Sequence, residues 1–215
     1  MISAVVTAAG RGSRMKRDLA ELGLERVHKL LLPLKGGTVI EHTLAGVLDA
    51  GVDECIVVTG HHFMEVEERI RGFNVKTVRN SPPDVPLSES LLNGVRASGG
   101  DMVLCAAGDQ PAVSSRTYRR LIEYSGDDRI SILARRDTGW LQGAEGLGMP
   151  FAAPRRILLD YLPHGSGNIN PILWRMVEDG VRLYGVGAED PVELININHY
   201  NDYLEIRRYF SSNGD

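Results

Sequence analysis

Cysteine is scarce in this chain: two among 215 residues, Cys55 and Cys105. Both lie inside apolar runs that read as strands. That leaves no disulfide framework and no cysteine metal site, and it predicts two reduced, buried thiols in a cytoplasmic protein. No apolar run reaches the about 20 residues a membrane-crossing helix needs, so no membrane partner is expected. The first residues enter a strand with no basic stretch ahead of them, which predicts no secretory leader. Surplus positive charge is missing too. The formal net charge of −4 speaks against a nucleic-acid partner. With no repeat, low-complexity stretch or linker, residues 1–215 read as a single domain.

Several catalytic patterns are also lacking. Gly10 and Gly12 begin a dinucleotide fingerprint, but Met15 stands where its third glycine belongs. No Gly-Lys-Ser/Thr follows, which excludes a Walker loop. Ser88 and Ser90 have no His or Asp at nucleophile-elbow spacing, so a hydrolase is not indicated. His61 and His62 are adjacent and have no carboxylate spaced for a zinc site.

What is present is a β-favouring run, Ala4-Val5-Val6-Thr7, that stops at Ala8-Ala9-Gly10-Arg11-Gly12-Ser13-Arg14. A buried strand there delivers a loop of small residues, free N–H groups and arginines. Such a loop suits a polyphosphate, and equally a Gly-rich turn with solvated arginines. Arg11, Arg14, Lys16, Arg17, Arg26 and Lys29 crowd the first thirty residues of a mildly acidic chain. This fits a small anionic ligand better than a long polyanion.

Strands are expected near 2–9, 54–59, 74–79, 102–107, 130–135, 182–186 and 192–197. Helices are expected near 38–50, 63–71, 88–97 with Ser88 as cap, 114–124, 154 onward, 171–179 and 200–210. The stretch 16–28 reads as a partly helical excursion or flap. The alternation predicts an α/β fold of three layers, a mostly parallel sheet with helices on both faces. Ligands then bind beyond the carboxyl ends of the strands. Asp109, straight after an apolar strand, is placed to hold a divalent cation or to cap a turn before Pro111. Asn196 and Asn198 offer a further side-chain oxygen or form a turn. Lys29 can reach back over the first loop as a point charge, or snorkel at a strand edge.

Ala8-Ala9-Gly10-Arg11-Gly12-Ser13-Arg14-Met15, followed by Lys29-Leu30-Leu31-Leu32-Pro33, resembles the signature of nucleotidyltransferases of the sugar-phosphate/molybdopterin transferase fold. Gly108-Asp109-Gln110-Pro111, Asn80 with Ser88-x-Ser90-Leu91, and Asn196-Ile197-Asn198 are similar to segments of the MobA-like molybdenum cofactor cytidylyl- and guanylyltransferases. The resemblance implies a Rossmann-like nucleotidyltransferase fold. It implies transfer of a nucleoside monophosphate from CTP or GTP to a phosphorylated acceptor, molybdopterin first, with pyrophosphate released. Ala8, Ala9, Gly10, Arg11, Gly12, Ser13, Asn80, Ser88 and Gly108 would bind the nucleotide. Arg14, Lys29 and Asp109 would carry catalysis, and Asp109 and Asn198 would hold Mg2+. A homodimer is compatible with the reading. Two departures stand out: 16–28 looks like an insertion, and asparagine replaces the closing aspartate of the cytidylyl type. The alternatives are a sugar-phosphate or other cofactor-phosphate acceptor, or a nucleotide-binding module without turnover.

Overall fold

A computed structural model describes residues 1–165 and 167–212. The chain runs β1 (Ile2–Ala8), α1 (Ser13–Glu21), β2 (Pro33–Leu34), β3 (Gly37–Thr38), α2 (Val39–Leu48), β4 (Glu54–Thr59), α3 (Phe63–Arg69) and β5 (Lys76–Arg79). It continues through α4 (Leu87–Ala97), β6 (Met102–Ala107), α5 (Ser115–Tyr124), β7 (Arg129–Ala134), β8 (Gly139–Leu141) and β9 (Phe151–Pro154). The last elements are α6 (Arg155–Tyr161), α7 (Asn170–Glu178), β10 (Arg182–Gly187) and α8 (Tyr200–Ser212).

Apolar residues on both sides of each central strand dictate the layering. In β1, Ala4, Val6 and Ala8 enter one core while Val5 enters the other. Cys55 and Val57 of β4 oppose Ile56 and Val58 in the same way, as do Leu104 and Ala106 against Val103 and Cys105 in β6. The first core takes Met15 and Leu19 of α1, Leu44 of α2, Tyr118 and Leu121 of α5, and Tyr203 and Ile206 of α8. The second takes Leu91 and Val95 of α4, Leu158 of α6, and Leu173 and Met176 of α7. The result is the expected three-layer α/β fold. The sheet order is β5-β4-β1-β6-β9-β7-β10-β8. Pairs β4–β5, β1–β4, β1–β6 and β7–β10 are parallel.

Three of the expected elements need correction, and the 16–28 stretch is partly helical as expected. The apolar segment ending near Ala153 is β9, antiparallel to both β6 and β7, and β8 is antiparallel to β10. The 16–28 stretch opens as a regular helix, because Met15 and Leu19 share a face four residues apart and pack into the first core. Ser88 does not cap α4. Pro86 holds the cap position, and Ser88 lies buried in the first turn with its hydroxyl donating to the Gly165 carbonyl at 3.2 Å.

The third concerns 192–197, which joins no sheet. Pro191–Leu194 is a 3-10 turn, because Glu193 turns inward. Its carboxylate, 1% exposed, accepts from the Ser114 N–H at 2.9 Å, the Thr117 hydroxyl at 2.7 Å and the Glu189 N–H at 3.1 Å. An acidic group at the start of α5 also meets the favourable end of the helix dipole. This anchor fixes the path of the segment that follows.

Gly94 sets how closely α4 approaches the sheet. A Cβ there would come within 2.8 Å of a Val58 methyl and nearer still to Val5. Gly94→Ala should therefore lower the unfolding free energy by about 1–3 kcal/mol through overpacking. Gly72→Ala, in open space, should change it by less than about 0.5 kcal/mol. Urea unfolding of the two variants checks the difference.

Candidate functional site

Beyond the carboxyl ends of β1 and β6 the chain must bring two loops side by side, and Gly108 permits it. Its N–H donates to the Thr7 carbonyl at 2.9 Å and its carbonyl accepts the Thr43 hydroxyl at 3.0 Å. A Cβ would sit 2.9 Å from Ile40 Cδ1 and 3.1 Å from Thr7 O. Asp109 thus emerges beside the first loop. Its own carbonyl accepts the Ile197 N–H at 2.9 Å, which draws the closing segment alongside.

Three chain-distant side chains meet there. Lys29 Nζ, on a 3-10 turn of residues Lys29–Leu31, donates to Asp109 Oδ2 and approaches Asn198 Oδ1 at 3.4 Å. The two charged side chains are only 13% and 14% exposed. Asn196 Nδ2 faces Asp109 Oδ1 at 3.4 Å, while its Oδ1 accepts from Arg135 at 3.2 Å. Asn198 therefore offers its oxygen inward, and Asn196 spends its oxygen on an arginine.

A carboxylate and an amide oxygen that converge on one cation suit a hard divalent ion, which takes one or two carboxylates and fills its shell with phosphate oxygens and water. Among the described residues no group of three His, Cys, Asp or Glu is poised for a metal. The donors thus fit a cation that arrives with a phosphorylated ligand, not one caged by protein alone.

A cleft of about 330 Å³ lies over this cluster. Thr7, Ala8, Ala9, Gly10 and Arg11 form one wall, Asp84, Val85, Leu87 and Ser90 another, and Lys29, Asp109, Asn196 and Met149 are among the residues between them. Small side chains on the first wall expose backbone to a ligand. Gly12, φ 63°, turns the chain into α1, whose start carries no side-chain cap and so keeps its N–H groups for an anion. Arg11 reaches over the cleft to Asp84, and His61 meets the same carboxylate at 2.7 Å.

Gly12 and Ser13 lie beside the cleft, at the start of α1. Arg14 is exposed on the first turn of α1, outside the cleft, and has no hydrogen bond or ion pair among the described residues. Asn80 and Ser88 are buried beneath it. Asn80 donates to the Ser90 hydroxyl at 2.9 Å and accepts from Asn93 at 3.0 Å, so it positions Ser90, which does line the cleft.

His28 is a residue that sequence reasoning passed over. It lines the cleft, is 5% exposed, and its Nε2–H donates to the Gly10 carbonyl at 2.9 Å. Its ring stacks on His62 at 4.3 Å, and His62 accepts from Lys16 at 2.7 Å. The 16–28 stretch thus returns to brace the loop it leaves. No periodicity marks a lone histidine; only its place next to Lys29 hints at it. Burial, and more weakly His62, Lys16 and Lys29, push the His28 pKa down to about 4 against the raising effect of the Gly10 bond.

The chain is similar to several known proteins. Residues 4–178 match the family described as the MobA-like NTP transferase domain. Over 147 residues the chain is 29% identical to the bifunctional protein GlmU of Francisella tularensis subsp. novicida, covering 68% of this chain and 30% of that protein. The chain therefore spans under a third of the length of that relative. A solved structure of a nucleotidyl transferase from Methanothermobacter thermautotroptrophicus superposes with a TM-score of 0.97 at 67% identity, covering 99% of this chain and 98% of that one. The 4-diphosphocytidyl-2C-methyl-D-erythritol synthase of Anaerococcus prevotii shares the fold, with a TM-score of 0.72 at 17% identity over 98% and 96% of the two chains.

The His28 ring gives a pH test. The folded state refuses a proton that the unfolded chain accepts below pH about 6.5, so stability is full above that value and falls as the pH drops toward 4. Between pH 7 and 4.5 this group should account for about 2 kcal/mol of lost stability. His28→Gln keeps an N–H for Gly10 but cannot titrate. Urea unfolding across that range should show a shallower slope for the variant.

Proposed function

This chain belongs to the MobA-like NTP transferase family, and from that premise we propose that it transfers CMP or GMP from its triphosphate to a phosphorylated acceptor, molybdopterin foremost, releasing pyrophosphate. The observation that carries the reading is the meeting of Lys29, Asp109 and Asn198 under a cleft walled by Ala8 to Arg11. Those side chains come from three distant parts of the chain and supply opposite charges where a triphosphate would lie.

An acceptor phosphate oxygen attacks the α-phosphorus, a new P–O bond forms, and the bond to the β-phosphate bridge breaks. Pyrophosphate leaves with the electron pair. A phosphate monoester is already a dianion near neutral pH, so no serine or histidine base is needed. Catalysis is alignment and neutralisation of charge. The backbone of Ala8 to Ser13 would wrap the phosphates, with Arg14 free to swing onto them from the start of α1. Asp109 and Asn198 would hold magnesium, which when bound supplies Lewis-acid charge at the α-phosphate. Lys29 would then exchange Asp109 for the charge on the departing pyrophosphate. Arg11 would leave Asp84 for the same reason.

A second reading keeps the chemistry and changes the acceptor to a sugar phosphate. It is favoured by the match to GlmU, which spans about two thirds of this chain. Pyrophosphate release measured with each of the four triphosphates against a pterin phosphate and hexose 1-phosphates separates the two. Turnover of hexose phosphates alone would overturn the first reading.

Asp109→Asn should cut pyrophosphate release at least about a hundredfold, the scale of losing a transition-state electrostatic contact, and should lower the melting temperature as well, because it leaves Lys29 without its partner, so activity is compared at a temperature where the variant is fully folded. Normal turnover with magnesium would remove Asp109 from the metal site. Lys29→Met should lower kcat by about the same factor and raise the triphosphate KM less, as for a group that acts mainly on the leaving charge. Steady-state kinetics with a coupled pyrophosphate assay checks both.

A further inference from the structure

The helix after the first loop reaches both halves of the site. Gly12 turns the chain into α1, so the uncapped N–H groups of its first turn face the place of the phosphates. Further along the same helix, about 8 Å past Ser13, Asp18 meets the far end of the chain. Its Oδ2 accepts the Tyr200 N–H at 3.0 Å and meets His199 Nδ1 at the same distance. The carboxylate is 20% exposed. Met15 and Leu19, buried on the inner face of α1, hold the helix in place under that contact.

Tyr200 opens α8, and the residues just before it belong to the site. The Ile197 N–H is held by the Asp109 carbonyl at 2.9 Å. Asp202 takes the next two, from Asn198 at 2.9 Å and from His199 at 2.7 Å. Asp18 takes the one after, from Tyr200. Successive N–H groups of residues 197–200 are thus pinned. Asn198 sits between the clamps, with its side-chain oxygen 3.4 Å from Lys29 Nζ. Of these clamps, Asp18 is the one that comes from the helix starting at the first loop. Fixing the backbone matters for an amide oxygen that is to meet magnesium, because that ion demands near-ideal octahedral geometry.

We propose that Asp18 is a positioning residue that makes α1 a strut between the first loop and Asn198, so that a triphosphate at one end and a divalent cation at the other strengthen each other's binding. The assignment rests on the nucleotidyl-transfer reading. Asp18 touches neither ligand nor ion. Through the Tyr200 N–H it fixes the backbone that aims the Asn198 oxygen. Through α1 it carries the settling of the first loop on a triphosphate to that oxygen. Such coupling is reciprocal, since each ligand favours the arrangement the other needs. A contact that merely docks α8 would act differently. Tyr203 supplies one: its hydroxyl donates to the Pro33 carbonyl at 2.7 Å, away from the closing segment. It stabilises the helix without setting the direction of Asn198.

Calorimetry on the full chain tests this without turnover. The α,β-methylene analogues of CTP and GTP are titrated once with saturating Mn2+ and once with EDTA, and the tighter analogue is kept. Asp18→Ala should weaken binding about tenfold with Mn2+ and less than about threefold with EDTA, the split expected of a coupling contact. Asp18→Asn keeps an oxygen for the Tyr200 N–H and should stay within about threefold of the wild type in both conditions. Tyr203→Phe should lower stability against urea and leave both affinities unchanged. In an Asn198→Ala background, Asp18→Ala should cost less than about twofold with Mn2+, because the oxygen it positions is gone. Equal loss with Mn2+ and with EDTA, an undiminished loss in the Asn198→Ala background, or the same split in Tyr203→Phe would each overturn the role of Asp18. Asp18→Ser, whose hydroxyl falls short of Tyr200, is read in the same way where the alanine variant does not fold. If the wild type binds the analogues in neither condition, the transfer reading itself fails, a result distinct from failure of the strut.

Discussion

The partly buried pair between Lys29 and Asp109 is the contact on which the rest of the site depends. Two charges taken out of water in a narrow cleft are stable only while each has an opposite partner. In the protein alone they serve each other, and Asn198 adds its oxygen to the same ammonium. The pairing fixes both side chains at the junction of β1, β6 and the closing segment. It also keeps the cleft from being a surplus of either charge. A ligand that brings its own anion and cation can displace the pair without leaving a bare charge behind, which a neutral ligand cannot do.

That junction is held by contacts that look unrelated to chemistry. Gly108 allows two strand ends to close on each other, and Ile197 clips to the backbone of Asp109. Glu193, buried against the start of α5, sets the path of the chain just before Asn196. Asp18 of α1 accepts from the Tyr200 N–H and from His199, both at 3.0 Å, which couples the helix after the first loop to the start of α8. The Tyr200 bond foremost holds the Asp18 carboxyl below its ordinary range. A distant surface contact thus links the two chain segments that flank Lys29 and Asn198.

The sequence made the frame legible for a physical reason. Strands covered on both faces must be apolar throughout, so 54–59 and 102–107 stand out with their observed ends. The residues just past them, Gly108 and Asp109, inherit that clarity. What was not legible is tertiary. Residues 192–197 have strand-like composition, yet one inward glutamate bends them into a 3-10 turn. Ser88 has the chemistry of a cap but lies one residue inside the helix, where its hydroxyl found Gly165 instead. Asn80 reads as a ligand, and its buried bond to Ser90, which lines the cleft, is not encoded by any local pattern. His28 and Asp84 contribute to the cleft through folding back and across, which no local pattern encodes.

The stretch 16–28 shows how an apparent insertion can belong to the site. A loop of small residues binds phosphate through its backbone, and the same smallness leaves it with many conformations to lose on binding. His28 removes part of that freedom by holding the Gly10 carbonyl, and a ring with its pKa near 4 does so as a neutral donor at neutral pH. Its stack on His62 and the contact of His62 with Lys16 extend the brace to the loops after β4 and into α1. A cationic brace would attract the incoming phosphate to itself and misplace it. A neutral one shapes the loop and leaves electrostatics to Lys29 and the arginines. The extra residues therefore hold the first loop in place, and they do it with the one side chain in the stretch that can donate a hydrogen bond while carrying no charge in its buried form.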